Sequence, residues 1–556
     1  MEIHARGIDR SHSLSDPGPR HAVWGGRAIN VIKLLAAVVL AAAAFVAGPA
    51  CAEWRRAETE HFIIHGDVSE RTLRTYATKI ERFDALLRTY YPIRSDVQIP
   101  KLEIYLADGA RDMRRILPGG SDGIAGFYSA DAGRIYTVTN ISNPEAMSTL
   151  FHEYAHHFMF QMSAEAYPSW FVEGFAEYYS TVVMEPEKIE VGREDRGRML
   201  MFTQLGANEW APLADVLKWR ISRSGRARVF DYYAQAWGLT HYLMSTPERQ
   251  RMLSQYLNAV IRGADPITAM QTSTGRTSVE LQNDMRRYFL GRITYYTPQI
   301  DIPMPEVAIS TLDADQGALV WFDLRLDETP IVVPPDNDPD DPRSEGRRAE
   351  MAREAARHRA ELITDALAAA ARRPGQRMAM LVAARAHRLN GDPAAGLAAL
   401  QPLLSATSTD ADALRIAAAL LMDQVKAEPE AGNTPSRRRL ATSYLGQAME
   451  HKPLDFRIYL GLNDTRRGQT AYPNANDIST LEVATALAPQ ADENRLRLAE
   501  AYMARSLWNE AKTMLDPVAN APHPGADRVR ARTMLAAIAS ATGAVAEVDE
   551  EPAATP

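Results

Sequence analysis

The chain has 556 residues, 46% of them hydrophobic and 24% charged, and a formal net charge of −8. This length exceeds what one hydrophobic core supports, so two or more domains are expected. The composition is typical of a soluble globular protein. Basic runs such as residues 437–439 are short, so they indicate a solvated helix face and not a nucleic-acid-binding surface.

An apolar segment near the N-terminus predicts export. Residues 34–47 read LLAAVVLAAAAFVA and follow Lys33, which gives a positive region and an apolar region too short for a confident membrane span. Ala50, Cys51 and Ala52 offer small residues for cleavage. We therefore expect residues 1–52 to be a signal peptide and the protein to be periplasmic. Acylation of Cys51, the only cysteine, and retention of the leader as a membrane anchor remain alternatives.

Strand and helix patterns alternate after the leader. Ser69 is a good helix N-cap, and apolar residues recur with helical spacing after it. Gly119 and Gly120 indicate a loop, and a Gly-containing turn indicates a hairpin. The predicted elements are a strand at 61–65, a helix at 70–90, a strand at 101–106 and a hairpin formed by 127–128 and 134–139.

The most informative motif is His152-Glu153-Tyr154-Ala155-His156. It lies on a helix predicted to start at Asn143 and Pro144. Residues four apart share one helix face, so the two imidazoles can bind one Zn²⁺ with Glu153 beside it as a base. Catalytic zinc takes three protein ligands and leaves one position to water. Glu173, on a second helix predicted from about residue 168, is the leading third ligand.

The HExxH motif and the segment WFVEGFAEY at 170–178 resemble the gluzincin superfamily of zinc metallopeptidases, which includes thermolysin and the aminopeptidase N group. The resemblance covers roughly residues 54–300. It implies an α+β domain with a small N-terminal mixed sheet. By the same resemblance, His152, His156 and Glu173 are the metal ligands and Glu153 is the general base. It also implies that Glu177 hydrogen-bonds a ligand histidine, fixing its tautomer.

Three further site assignments are less direct. Gly174 should let its helix approach the zinc helix closely, which favours Glu173 over Glu177 as the ligand. Tyr233 resembles in placement the tyrosine of aminopeptidase relatives that stabilises the oxyanion, although their Lys-Gly pair is absent. Tyr232 and His241 are rivals for that role, and a tyrosine packed at a helix start explains Tyr233 equally well. His241 is more typical of a core histidine, and His157 should point about 100° away from His156.

The C-terminal part has a different composition. Residues 307–333 look β-like, with partial alternation over 318–326, and PPDNDPDDP at 334–342 indicates an exposed linker. Beyond it, small and apolar residues, with prolines at 453, 489 and 522, resemble tetratricopeptide repeats. Unrelated antiparallel helices remain the alternative. The predicted domains are a metallopeptidase domain at 53–300, a β-like extension and linker at 301–345, an all-α repeat domain at 346–540 and a disordered tail at 541–556.

These patterns predict an exported zinc peptidase that hydrolyses a peptide or protein, whose backbone pairs with the hairpin. The sequence lacks the GxMEN motif with which aminopeptidases hold a free N-terminus, so an endopeptidase is favoured over an aminopeptidase. The repeats can bind a protein partner. Binding to nucleic acid is not expected. Contact with a membrane is expected only if the leader is retained or Cys51 is acylated. The alternative is an envelope protein-binding scaffold that binds metal with little or no turnover.

Overall fold

The computed structural model describes residues 53–92, 98–118, 123–162, 165–204, 210–218, 225–291, 293, 295–327, 342–405, 407–521 and 525–543. The expected signal peptide with Cys51, Gly119 and Gly120, residues 334–341 of the expected linker and residues 544–556 of the expected tail lie outside these ranges.

A six-stranded mixed sheet forms the N-terminal part. The strands are β1 (Arg55–Glu58), β2 (Phe62–Gly66), β3 (Leu102–Ala107), β4 (Gly126–Ala130), β5 (Ile135–Asn140), β6 (Val183–Glu185), β7 (Lys188–Glu190) and β8 (Ala308–Thr311), of which β6 and β7 form a separate hairpin. In the six-stranded sheet the order is β4-β5-β3-β2-β1-β8. Strand β3 is parallel to both of its neighbours, β2 and β5, and the remaining pairs are antiparallel. The predicted strands and hairpin are confirmed.

Helices cover both faces of this sheet. On β3, Ile104 belongs to the core that includes Phe83 and Leu150, whereas Tyr105 belongs to the core that includes Trp321. Successive residues of a strand point to opposite faces, so these are two cores on the two sides of one sheet. The helices of this part are α1 (Glu70–Tyr90), α2 (Ala110–Ile116), α3 (Ala146–Met162), α4 (Ser169–Ser180), α5 (Arg196–Gln204), α6 (Leu213–Lys218), α7 (Gly225–Met244), α8 (Pro247–Ile261), α9 (Pro266–Thr274), α10 (Ser278–Leu290), α11 (Ala314–Gly317) and α12 (Val320–Asp327).

The helix α4 is central to the packing of this part. It lies against both α3 and α7, and every residue from Ser169 to Ser180 is buried. Its sequence is rich in aromatic residues, which fill this position between two helices. Two glutamates on such a helix are costly unless something compensates their charge.

The β-like prediction for residues 307–333 is only partly right. Residues 308–311 form β8, which pairs with β1 at the sheet edge. Residues 320–327 form the helix α12 instead. There, Val320, Trp321 and Leu324 are buried, and this spacing gives one face of a helix. The partial alternation was therefore misleading.

The C-terminal half is all-helical, as expected. Each helix packs on its sequence neighbour, and the core is divided into several small clusters. The helices are α13 (Pro342–Ala371), α14 (Arg377–Leu389), α15 (Pro393–Leu400), α16 (Ala411–Ala427), α17 (Thr434–His451), α18 (Phe456–Arg466), α19 (Ala475–Leu487), α20 (Asp492–Ala504), α21 (Trp508–Ala519) and α22 (Ala526–Thr542). None of the helices in the described part of the chain is long and apolar enough to cross a membrane.

Charged side chains join the helical half to the sheet through α12. Arg134 of the sheet lies 3.1 Å from Asp323. Arg385 and Arg457, from the helical half, lie 2.8 and 3.4 Å from Asp327. All three arginines and both aspartates are at most 19% exposed, so the two halves meet at a partly buried ionic cluster. Breaking one partner of such a cluster is costly because it leaves an uncompensated charge.

Candidate metal centre

Two histidines of α3 point toward each other. The turn that leads into this helix is held by Asn143, whose Oδ1 accepts a hydrogen bond of 2.8 Å from the backbone N–H of Glu145. His152 and His156 are one turn apart on the same face. Their ring centroids are 4.7 Å apart and their Nε2 atoms 3.1 Å. The predicted helix therefore presents both imidazoles to one point.

Glu173 of α4 meets the same two atoms. Its Oε2 lies 3.5 Å from Nε2 of His156 and 3.8 Å from Nε2 of His152, and the residue is 1% exposed. We call His152, His156 and Glu173 the histidine–glutamate group. In a tetrahedral zinc site, bonds of about 2.0–2.2 Å separate the ligand atoms by roughly 3.3–3.6 Å. The donor types and their spacing thus fit a zinc ion.

The charge around His156 agrees with this grouping. Burial lowers the pKa of His156, but the charge and hydrogen bonding of Glu173 and the charges of Glu153 and Glu177 act against it. Together they raise the net pKa above its ordinary value. A proton on His156 compensates the negative charge of Glu173. A metal binds the neutral imidazole, so a bound cation would replace that proton and supply the positive charge instead.

Gly174 allows close packing of α4 on α7, and not on the histidine-bearing helix α3 as its position suggested. A Cβ atom at this residue would lie 2.1 Å from Oγ1 of Thr240 and 2.5 Å from the carbonyl oxygen of Ala236. Both neighbours belong to α7, and α3 supplies none of these contacts. The expectation that Gly174 lets α4 approach the zinc helix is therefore wrong. Adjacent helical residues differ by about 100°, so a residue next to Glu173 faces a different helix.

Glu177 is held by an arginine that the sequence did not reveal. Its Oε1 lies 3.8 Å from Nδ1 of His152, which is too long for the hydrogen bond that the resemblance implied. Arg198 instead donates two hydrogen bonds to the Glu177 carboxylate, at 2.6 and 3.2 Å. Burial raises the pKa of Glu177, and Arg198 opposes this rise. Nothing in the sequence around Arg198 pairs it with an acidic residue 21 positions earlier.

Tyr233 and Glu153 share the electrostatic surroundings of the histidine–glutamate group. Burial, followed by the charges of Glu173, Glu177 and Glu153, raises the pKa of Tyr233 far above its ordinary value. The Arg198 guanidinium lies over the Tyr233 ring, 5.6 Å from its centroid. The Tyr233 hydroxyl therefore stays protonated at neutral pH and can donate a hydrogen bond.

The rival residues have other surroundings. Tyr232 is 2% exposed and belongs to the hydrophobic core. His241 is also buried, and it lies 2.9 Å from the Gly192 carbonyl through Nε2 and 3.0 Å from the Tyr288 hydroxyl through Nδ1. Its Nε2 must donate to the carbonyl, so Nδ1 accepts from the tyrosine. His241 thus lies in the core with both ring nitrogens satisfied, as its sequence context indicated.

His157 is packed inside the protein and marks a contact between the two halves. Its Nδ1 lies 3.0 Å from the hydroxyl of Tyr128 on β4. Nε2 of Gln490, from the connection between α19 and α20, lies 3.5 Å from the same Nδ1. Burial lowers the pKa of His157 to about 3, so it is neutral. The sequence placed His157 away from the metal but gave no sign that Gln490 would lie beside it.

A second group has a similar composition. Ligand-type atoms of Glu60, His61 and Glu81 also lie within 4.8 Å of one another. Here His61 Nδ1 is hydrogen-bonded to Glu81 Oε1 at 2.5 Å, and Asp84 Oδ2 is 3.3 Å away. We call this set the Glu60 group.

Residues 146–263 match a family model described as "Protein of unknown function (DUF1570)". This range contains the histidine–glutamate group, Glu177 and Tyr233. No curated protein matches the chain. The chain is also similar to the crystal structure of a thermophilic TPR protein from Thermus thermophilus, with 18% identity over 34% of this chain and 96% of that chain and a TM-score of 0.29.

Proposed function

We propose that this protein is a zinc-dependent peptidase. The observation that carries the proposal is the convergence of His152, His156 and Glu173 from two packed helices, with ligand atoms 3.1 to 3.8 Å apart. The spacing of the motifs on these helices supports the gluzincin resemblance of residues 54–300. A bound zinc would polarise a peptide carbonyl and lower the pKa of a water molecule.

Glu153 is the proton carrier of the proposed reaction. The charge of its carboxylate contributes to the raised pKa of both His156 and Tyr233. Glu153 takes a proton from the attacking water as the new C–O bond forms. It then gives that proton to the peptide nitrogen as the C–N bond breaks, so the products are one carboxylic acid and one amine. No oxidant or second substrate is required.

Tyr233 is the proposed donor to the developing oxyanion. Burial, together with the charges of Glu173, Glu177 and Glu153, keeps its phenol protonated, and a protonated phenol can donate to the negatively charged oxygen that the attack produces. Arg198 against its ring helps to fix the orientation of that phenol. A preorganised donor of this kind contributes to the rate because it needs no reorganisation during the reaction.

The sheet edge supports a peptide as the substrate. Strand β4 is the outermost strand on its side of the sheet and pairs with β5. It also packs against α3, the helix that carries both histidines. An extended peptide can add to such an edge through backbone hydrogen bonds, which give affinity without a sequence requirement. We therefore propose a peptide or protein substrate.

The test compares full-length protein with Glu153→Gln and with Glu145→Gln, a matched change at an exposed residue before the same helix. We expect all three proteins to bind one zinc per chain, measured by elemental analysis. Cleavage of a mixed peptide library should fall by about 10²- to 10⁴-fold in Glu153→Gln alone. Failure to bind zinc, or equal cleavage by the wild type and Glu153→Gln, would exclude the proposal.

Zinc binding without cleavage by any of the three proteins would favour the scaffold function. The helical half supports that second candidate, since stacked helices offer extended surfaces for a protein partner. The two functions thus give opposite results in the same assay.

We also propose that the protein is exported to the periplasm, on the basis of the apolar segment at residues 34–47 after Lys33. Fractionation of cells that produce the full-length chain tests this. A chain that stays in the cytoplasm with its N-terminus intact would contradict it.

A further inference from the structure

Strand β4 runs along the face of α3 that carries Glu153. Near the start of the strand, a Cβ atom at Gly126 would lie 3.0 Å from Cγ2 of Thr149. In the middle of the strand, the Tyr128 hydroxyl lies 3.0 Å from Nδ1 of His157. Thr149, Glu153 and His157 follow each other at intervals of one turn and share one helix face. The proposed general base is therefore on the side of α3 that faces the strand along which a peptide would lie.

The helical half packs against the turn that ends this strand. Residues 131–134 connect β4 to β5 and are only partly exposed. Ala132 of the turn and Ile135 of β5 pack on an apolar cluster formed by α18, α19 and α20, which includes Phe456 and Leu460. The turn of the hairpin is thus an apolar contact surface for three helices of the helical half.

Polar contacts hold the same turn at Gly133. Arg457 of α18 donates a hydrogen bond of 3.1 Å to the Gly133 carbonyl. Asp455 fixes the Arg457 guanidinium by accepting two hydrogen bonds of 2.8 Å. On another side, a Cβ atom at Gly133 would overlap the carbonyl oxygen of Asp327 at the end of α12. The turn therefore lies directly on α12, an approach that Gly133 permits because it has no side chain.

A second contact from the helical half reaches the place where β4 meets α3. Nε2 of Gln490 lies 3.5 Å from the His157 nitrogen that the Tyr128 hydroxyl also contacts. The helical half thus lies against the hairpin at its turn and beside the histidine-bearing helix. Strand β4 pairs with β5 on one side only. Because an edge strand leaves its other row of backbone groups unpaired, contacts at its turn have a large part in fixing its position.

We propose that the helical half is a positioning element for the substrate strand, and that its bound partner is the β4–β5 hairpin of the same chain. This inference rests on the proposed peptidase function. An extended peptide that pairs with β4 is placed relative to Glu153 by the position of that strand, and a misplacement of about 1 Å can cost about 100-fold in rate. Arg457 and Gly133 are positioning residues, because they act on the reaction through β4.

The test compares two capped substrates on full-length, zinc-loaded protein. One is the N-acetylated, C-amidated octapeptide that the wild type cleaves fastest in a mixed library. The other is the capped dipeptide that contains the same scissile bond. The octapeptide can pair with β4 along its length, whereas the dipeptide reaches little beyond the metal. Comparing the two separates a displaced strand from a damaged metal centre.

Two glycine variants displace the turn or leave it in place. Gly133→Ala pushes the turn away from α12, because the new methyl group overlaps the Asp327 carbonyl. The matched control is Gly123→Ala, in the segment before the same strand, where a Cβ atom meets nothing within 4 Å. Zinc content and melting temperature verify that each variant is folded.

The arginine variants test the role of the helical half itself. Arg457→Met removes the hydrogen bond to the Gly133 carbonyl. Arg457→Lys keeps the positive charge among the aspartates and reports on the same contact if the methionine variant does not fold. Arg439→Met, at an exposed position of α17, is the matched control. Binding of a fluorescently labelled octapeptide is measured for every variant in the Glu153→Gln background, in which the proposed base is absent.

We expect Gly133→Ala to lower kcat/KM for the octapeptide by about 5- to 30-fold, the range of one or two backbone hydrogen bonds. Most of the change should be in KM, and cleavage of the dipeptide should stay close to that of the wild type. Arg457→Met should give the same pattern and Arg457→Lys a smaller loss. Both control variants should cleave the octapeptide as the wild type does.

An equal loss for both substrates, or an octapeptide loss no larger in Gly133→Ala than in Gly123→Ala, would overturn the inference and leave the peptidase standing. A loss in Gly133→Ala with none in Arg457→Met and Arg457→Lys would overturn the role of the helical half and assign the hold to α12 alone. Octapeptide binding that weakens in Gly133→Ala and Arg457→Met, without cleavage by the wild type, would overturn the peptidase function and leave the positioning role. Neither binding nor cleavage would overturn both.

Discussion

The histidine–glutamate group and the Glu60 group contain the same residue types at the same close range, yet they are held together differently. In the Glu60 group, a carboxylate faces an imidazole, with His61 Nδ1 at 2.5 Å from Glu81 Oε1. In the histidine–glutamate group, two imidazole nitrogens face each other at 3.1 Å, and one carboxylate meets both. Glu60 is also 83% exposed, whereas Glu173 is 1% exposed.

If the proposed function is correct, this difference separates an ion pair from a metal site. The pKa of His61 is raised and that of Glu81 is lowered, although burial acts in the opposite direction on each. His61 and Glu81 therefore stabilise each other as a cation and an anion. In the histidine–glutamate group, Glu173 also raises the pKa of His156, but the two imidazole nitrogens that face each other cannot form an ion pair with each other. A proton or another cation must lie between them. The convergence of lone pairs, more than the residue types, is therefore the basis on which we propose a metal centre here.

The largest expected effect comes from removing the Glu173 carboxylate, and the matched removal of the Glu81 carboxylate is its control. Structural zinc sites bind with about 10–16 kcal/mol over four ligands, so one ligand contributes about 2.5–4 kcal/mol. We expect Glu173→Ala to weaken zinc binding by about 100-fold or more, measured by competition with a chromophoric chelator. Glu81→Ala should leave the zinc affinity unchanged. Equal losses in both variants would erase the distinction between the groups.

The backbone packing of α4 gives the next largest effect. In Gly174→Ala, the new methyl group meets the Ala236 carbonyl, which cannot move without bending α7. We expect a loss of about 1–3 kcal/mol in stability from overpacking, together with weaker zinc binding because Glu173 is displaced. Thermal melts with and without zinc measure both. The control is Gly446→Ala on α17, where a Cβ meets nothing within 4 Å. A Gly174→Ala protein as stable as that control would show that α4 tolerates a shift.

Arg198 sharpens the comparison from outside the ligand set. Removing its two hydrogen bonds to Glu177 leaves a buried carboxylate near His152. We expect Arg198→Met to lower the zinc affinity by about 10- to 100-fold, the usual range for residues that support ligands. Arg88→Met, which removes the partner of Asp84 near the Glu60 group, is the matched control. A lower zinc affinity in Arg88→Met alone would show that the metal binds at the Glu60 group and not at the histidine–glutamate group.

The sequence revealed local features of this protein better than its long-range contacts. Ser69 and the apolar spacing after it predicted a helix at 70–90, which is the observed range. The HExxH spacing placed His152 and His156 together because both lie on one helix. Arg198 and Gln490 reach their partners across 21 and 333 positions, and no periodicity encodes such contacts. The direction of Gly174 was missed because it depends on which helix packs on each face of α4.

The smallest expected effect is the pH dependence of the Glu60 group. The raised pKa of His61 means that its stabilisation is complete below its ordinary pKa of 6.5 and is lost as the pH rises through the raised value. The lowered pKa of Glu81 means that its stabilisation is present above 4.5 and is lost as the pH falls. His61→Gln should therefore cost about 1 kcal/mol between about pH 4.5 and 6.5 and less at about pH 9.

Urea unfolding at about pH 5.5 and about pH 9, with a chelator present in every sample, measures this difference. His451→Gln, a change at an exposed histidine on α17, is the matched control. Because the chelator removes zinc from wild type and variants alike, any effect of the metal ligands cancels in the comparison. A larger loss at the higher pH than at the lower would mean that neutral His61 makes the stronger contact, and the Glu60 group would then not be an ion pair.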